Sequence, residues 1–252
     1  MRILELWRYP VKSLQGEQVE SAAVTGDGLE GDRRFAIYDG ETGFGLTARR
    51  VPELLFASAR LREDGGVDIT LPDGSPARDD EALSAWLGRP VALRSRDAEV
   101  TRRYENPVVD FEQETEGDWA PFEGAAGAFH DSPSARVSLV STATIGDWDR
   151  RRFRSNVLLD GEGEDAFVGS QVTLGEVEMD VGMRIERCVM VTRPQPEGLE
   201  RDLQVLRTVA REREACLAIG ALVTQHGRVA VGDELTARSS GAPAEPPRVP
   251  SG

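Results

Sequence analysis

The stretch RRFAIYDGETG, Arg33 to Gly43, decides the fold class. Its aromatic and β-branched half, Phe35 to Tyr38, runs straight into Asp39-Gly40 and Thr42-Gly43, so it reads as a strand entering a glycine-containing hairpin. The same reading extends outward in both directions. RILELWRY (Arg2 to Tyr9) and QVESAAVTG (Gln18 to Gly26) are short alternating runs followed by turn residues. LFASARLREDGGVDITLPDG (Leu55 to Gly74) adds a hairpin around Asp64-Gly65-Gly66. Short strands separated by turns at this density predict a mainly β chain built as a sandwich or barrel.

Helix is sparse. Asp79 to Leu87 has an acidic start and stops at Gly88-Arg89-Pro90, Thr142 to Arg152 has a weaker pattern, and Leu199 to Cys216 is the longest. Leu199, Leu203, Leu206, Val209 and Ala210 fall at helical spacing there, which predicts a core-facing stripe. Residues 97–133 lose any clean period and read as a long connection between two β modules or a lid. The Pro-, Ser- and Gly-rich residues 237–252 read as a disordered tail.

Composition narrows the functional classes. A chain of 252 residues can bury a substantial core. Two cysteines and no signal-peptide pattern in MRILELWRYPVK point to a reducing, cytoplasmic setting rather than a disulfide framework. No apolar run is long enough to cross a bilayer, so no membrane role is expected. A net charge of −14 has the wrong sign for generic binding to nucleic acid. Every basic residue except Lys12 is arginine. An ammonium is a compact point charge and a guanidinium a planar fork, so the retained lysine marks YPVKS, Tyr9 to Ser13, as a candidate anion site.

RIERCVMVTR, Arg184 to Arg193, sets Cys188 among three arginines. Nearby cations favour the thiolate, which is both the nucleophilic and the metal-ligating form. On a regular strand residues 184, 186, 188 and 190 share a face, making Arg184 the neighbour of Cys188 and turning Arg187 away. Glu186 would then put a carboxylate on the thiol's face. The other cysteine, Cys216, sits on the helical pattern and reads as a packed free thiol. His130 and His226 are the only histidines, too few for a histidine zinc site.

Five motifs in order carry a resemblance: YPVKSL; GDRRF with TAR after it; HDSP; RFRSNVLLDG; and RCVMVT followed by VGDEL. The chain resembles the MOSC domain family with its N-terminal β-barrel partner, a family that includes amidoxime-reducing proteins and the C-terminal domain of molybdenum cofactor sulfurases. The resemblance implies an N-terminal β-rich domain over 1–96 and a MOSC β-barrel over 97–236. It implies a molybdenum cofactor (Mo-molybdopterin) with Cys188 as metal ligand and catalytic residue.

Carried over residue by residue, Lys12 and Ser13 would meet the cofactor's phosphate with a cation and a hydroxyl or N–H. Arg33 or its neighbour Arg34 would add a guanidinium, and Thr47 and Arg49 would line the same side. Arg154 and Asn156 would grip phosphate and pterin edge, although Ser155 stands where proline is common. Asp131 and Ser132 would contact the pterin. Three readings follow: an oxidoreductase that reduces N-hydroxylated or other N-oxygenated small molecules, a non-catalytic cofactor carrier or sulfur-handling protein, and an unrelated β-barrel interaction protein. Lys12 is the only lysine, so pyridoxal phosphate chemistry is not expected. Two cysteines cannot hold an iron–sulfur cluster, so electrons would come from a separate iron–sulfur, flavin or haem protein.

Overall fold

The computed structural model describes residues 1–98, 100, 102–108 and 118–238. It is mainly β, with three short α-helices among the described residues. The largest sheet has eight strands in the order Leu235–Ala237, Gln171–Leu174, Val177–Glu186, Cys216–Gln225, Val137–Ser141, Val157–Leu159, Ile3–Arg8 and Glu17–Val19. All of its pairings are antiparallel except that of Val137–Ser141 with Val157–Leu159.

The described residues form four hydrophobic clusters, and two of them draw on the N-terminal segment. One gathers Ile3, Leu6, Val24 and Leu29 with Leu139, Val172, Met179 and Ile219, all buried. The other gathers Val11, Leu14, Ile37, Leu54, Leu55 and Leu83. The first thirty residues therefore divide between the two: Ile3, Leu6, Val24 and Leu29 join the first, and Val11 and Leu14 the second. That division sets Tyr9 to Ser13 at the boundary between them.

Strand alternation explains the long strand Val177–Glu186, in which Val177, Met179 and Val181 are buried while Asp180 and Gly182 are exposed. The alternation fails near its end, where register shifts fall between Val181 and Met183 and between Arg184 and Glu186. Bulges of this kind re-aim side chains. Here the chain leaves the strand at Glu186, and Cys188 caps a 3-10 turn over Val189–Thr192.

The expected helices are present but trimmed. Asp80–Leu87 starts where the Asp79 carboxylate accepts from Ala82 N (2.8 Å) and ends at Gly88, whose φ of 66° no β-carbon opposes. The segment expected from Thr142 to Arg152 is helical only over Thr142–Ile145, stops at Gly146, and resumes as a 3-10 turn over Arg150–Arg152. The segment expected from Leu199 to Cys216 is Leu203–Arg213, capped by Asp202 and closed by Glu214 and Ala215, both left-handed. Cys216 consequently opens a strand rather than closing a helix.

Within 97–133, residues Arg103–Pro107 and Trp119–Glu123 pair as an antiparallel ribbon, and 99, 101 and 109–117 lie outside the described residues. Ala237, the first residue of the expected tail, ends a strand paired with Gln171–Leu174, and 239–252 lie outside the described residues.

Candidate functional site

Three turns converge on one site, and each contains a non-glycine residue in the left-handed region: Ser13 (φ 72°), Arg33 (φ 49°) and Arg154 (φ 52°). Such conformations cost about 1–3 kcal/mol each and persist where the surroundings impose them. Here they bring three segments far apart in sequence to one cavity of about 140 Å³. Lys12, Ser13, Arg33, Asp131, Ser132, Arg154 and Asn156, all anticipated from the sequence, line it. Thr47, Arg49 and Cys188 lie outside the lining, while Arg136, Arg187 and Met190 join it unanticipated.

Lys12 is 5 % exposed, and its ammonium donates to the Phe129 carbonyl (3.0 Å) and pairs with the Asp131 carboxylate. Burial lowers the Lys12 pKa from its ordinary value, against the opposing pull of Asp131. Desolvation would raise Asp131, yet Lys12, Arg49 and Arg33 outweigh it and hold the carboxyl well below the usual range. The outer side of that carboxylate remains open to water, its side chain being 73 % exposed, which screens the effect.

Arg33, not Arg34, faces inward. Its guanidinium pairs with buried Asp32, lies 5.2 Å from the Tyr9 ring centre and donates to the Arg154 carbonyl (3.4 Å). Arg34 turns outward toward Asp97 (3.4 Å). Arg154 stacks on the same Tyr9 ring at 4.3 Å, and burial lowers its pKa to about 10.

Arg187 reverses the expectation drawn from strand alternation. It lines the cavity, with Nε donating to the Leu217 carbonyl (2.6 Å) and Nη1 to the Phe153 carbonyl (2.9 Å). Burial lowers its pKa to about 10 even though the neighbouring Cys188 pulls the other way. Arg184 turns away to Glu214 (2.9 Å) and the Arg213 carbonyl (2.8 Å). The physical reason is that the strand, already shifted in register, ends at Glu186, so the two-residue period on which the expectation rested does not reach Arg187.

Arg49 is the second cation beside Cys188. Burial opposes its charge, but Cys188 and Asp131 raise its pKa. Cys188 itself is half-buried and free. Glu186 is exposed and absent from the cavity lining.

Other side chains are already committed. Ser13 Oγ accepts from Ala48 N (2.9 Å), tying the Lys12 turn to the loop that carries Thr47 and Arg49. Asn156 Oδ1 accepts from Ser138 N (3.1 Å) and Oγ (2.9 Å), and its Nδ2 donates to the Trp7 carbonyl (3.2 Å), so this amide locks three strands together. His130 is buried: Nε2–H donates to the Asp27 carbonyl (2.9 Å), and burial drives its pKa down to about 4.

Donors remain unspent nonetheless. Arg154 Nη1, Arg187 Nη2, Arg136 Nη1, Ser155 Oγ and Thr47 Oγ1 are buried without a hydrogen-bond partner. Desolvated guanidinium groups are costly unless an anion completes them. The donor set thus fits a phosphate-bearing ligand.

Residues 1–102 match the MOSC N-terminal beta barrel domain, and residues 126–236 match the MOSC domain. The chain belongs to the MOSC family. This MOSC protein is 25 % identical to the human mitochondrial amidoxime-reducing component 1 over 84 % of its own length and 72 % of that protein. It is 23 % identical to the molybdenum cofactor sulfurase of Drosophila willistoni over 89 % of its length, spanning 31 % of the sulfurase. The crystal structure of the YUAD protein from Bacillus subtilis aligns over 93 % of both chains with a TM-score of 0.42 and 10 % identity.

Proposed function

We propose that this MOSC protein binds a molybdopterin-type cofactor and reduces N-hydroxylated or other N-oxygenated small molecules. The observation that carries the reading is the set of buried, unpartnered guanidinium nitrogens on Arg154, Arg187 and Arg136 around one cavity, Arg187 being the residue directly before the free Cys188. Lys12, Ser13, Arg33 and Arg154 would hold the phosphate end; Asp131, Ser132 and Asn156 would border the pterin; Thr47 and Arg49 would close the side toward Cys188. Cys188 would be the metal ligand, and when bound the cofactor supplies a two-electron redox centre.

Around it the chain's own groups set charge and orientation. Arg49 flanks the Cys188 sulfur, placing a cation beside the proposed metal ligand. Lys12, Arg49 and Arg33 favour the ionised Asp131 carboxylate, which in turn opposes the lowering of the Lys12 pKa by burial. The N-oxygenated substrate class is supported by the likeness to a protein named as an amidoxime-reducing component. Electrons would come from a separate iron–sulfur, flavin or haem protein. The two free cysteines fit a cytoplasmic, reducing setting, and no helix of the described residues is long and apolar enough to cross a membrane.

The likeness to sulfurases supports a second reading, a non-catalytic carrier of the cofactor. Expression in a host that makes the cofactor, followed by metal analysis and an N-hydroxylated-substrate assay with a low-potential dye, tests both. Molybdenum near one per chain with turnover is expected. Loaded protein inert with every such substrate supports the carrier, and protein without molybdenum sinks both readings. NADH or NADPH alone should not drive turnover, whereas a suitable redox partner should, with a rate that falls as salt rises.

A further inference from the structure

The ribbon Arg103–Pro107 with Trp119–Glu123 lies between the two matched domains, in neither of them. It is nonetheless keyed into the site by one residue. Tyr104 is 1 % exposed, and its ring occupies a slot between two glycines. A methyl group on Gly45 would come within 2.3 Å of the ring, and one on Gly124 within 2.5 Å, so only glycine fits on either side. The slot is reinforced by the Gly45 N–H donating to the Arg103 carbonyl (2.8 Å) and by ring contacts with Tyr38 (6.5 Å) and Phe122 (5.6 Å).

On the face of that ring, 4.8 Å from its centre, sits the ammonium of Lys12. The ammonium has three donor directions. The Phe129 carbonyl and the Asp131 carboxylate take two, both toward the 129–131 segment. The ring face offers electrostatic attraction to a cation without consuming a donor, and a desolvated contact of this kind is stronger than an exposed one. It therefore holds the charge in place while leaving the third N–H for a ligand in the cavity that Lys12 lines.

We propose that Tyr104 is a positioning residue for Lys12, acting from behind the cavity lining, so that recognition of a phosphate group depends on a segment outside both domains. The inference rests on the reading of the cavity as a phosphate site. The ligand chemistry is a phosphate, either the ester on the cofactor or free inorganic phosphate, and the two sources are separable by measuring cofactor content of the isolated protein alongside inorganic phosphate binding to cofactor-free chain.

The test is a double-mutant cycle on cofactor-free protein, with inorganic phosphate and pyrophosphate binding read by calorimetry and folding checked by thermal melting. Tyr104→Phe should bind as the wild type does, because the ring face is kept. Tyr104→Leu should bind roughly tenfold more weakly, and combining it with Lys12→Met should add little beyond Lys12→Met alone. If Tyr104→Leu does not fold, pentafluorophenylalanine at position 104 keeps the shape and reverses the ring's charge distribution; it should weaken binding where Tyr104→Phe does not. Equal losses for Tyr104→Leu with and without Lys12, or a Phe variant as impaired as Leu, would overturn the positioning role. Failure of the wild type to bind either anion would overturn the phosphate reading of the cavity and the inference with it. Cofactor content of protein from a cofactor-competent host should follow the same order across the variants.

Discussion

Arg187 Nη1 donates to the Phe153 carbonyl at 2.9 Å, so the residue before Cys188 is tied to the turn that carries Arg154. The thiol and the anion cradle are thereby one mechanical unit: Arg187 bridges them, and its Nε holds Leu217 on the adjoining strand (2.6 Å).

Arg187→Met should strand both carbonyls without their donor. The expected cost is about 1–3 kcal/mol of stability, together with loss of cofactor retention. Urea denaturation and metal analysis of the same preparation check the pair of effects. A variant that keeps wild-type stability and loading would show that Arg187 bridges nothing of consequence.

Lys12→Ala and Arg154→Ala should each weaken cofactor binding by about 1.5–3 kcal/mol, the range for charge-assisted hydrogen bonds. Lys12→Arg should lose part of that affinity, because a planar fork does not fit a site shaped around a point charge. Cofactor release on dilution gives the measurement, and unchanged release in both alanine variants would remove the cradle.

Cys188→Ser should lose most molybdenum while stability moves by less than about 1 kcal/mol, since the half-buried side chain contributes little packing. Cys216→Ser, on the strand that pairs with Glu186, should retain metal. Equal metal loss in the two variants would point to a thiol pair instead.

His130 gives the protein an acid sensitivity of predictable sign. Its folded-state pKa of about 4 lies below the ordinary 6.5, so the unfolded chain binds the proton first as pH falls. Its contribution is present above about pH 6.5 and is lost progressively down to about pH 4, amounting to about 3 kcal/mol. His130→Gln keeps an N–H for the Asp27 carbonyl and should flatten this part of the stability profile between pH 7 and 4.5. Denaturant midpoints at several pH values decide it, and parallel profiles for variant and wild type would refute the assignment.

Much was decided by local chemistry that the sequence carries on its own. The hairpin at Asp64-Gly65-Gly66 joins the paired strands Ser58–Leu61 and Val67–Thr70, because turn residues between β-formers leave the backbone few other choices. Asp79 and Gly88 bound their helix for equally local reasons, a carboxylate accepting an orphan N–H and a residue free to turn left-handed. Five short motifs in order sufficed for the family, and seven anticipated residues meet at one cavity. Other features depended on contacts between distant segments. Arg187 faces inward because the strand before it, shifted in register against Cys216–Gln225, ends at Glu186, and that end is set only once the two strands pair. Cys216 lies on a strand because Glu214 and Ala215 end the preceding helix in a conformation that propensity alone does not select for them. Tyr104 reaches Lys12 from 92 positions away in the sequence, held by a slot between Gly45 and Gly124 that no window along the chain contains. Periodicity and turn chemistry act over a few neighbours and can be read in one dimension; the desolvation that lowers the pKa values of Lys12, Arg154 and Arg187 arises only when distant segments close around them.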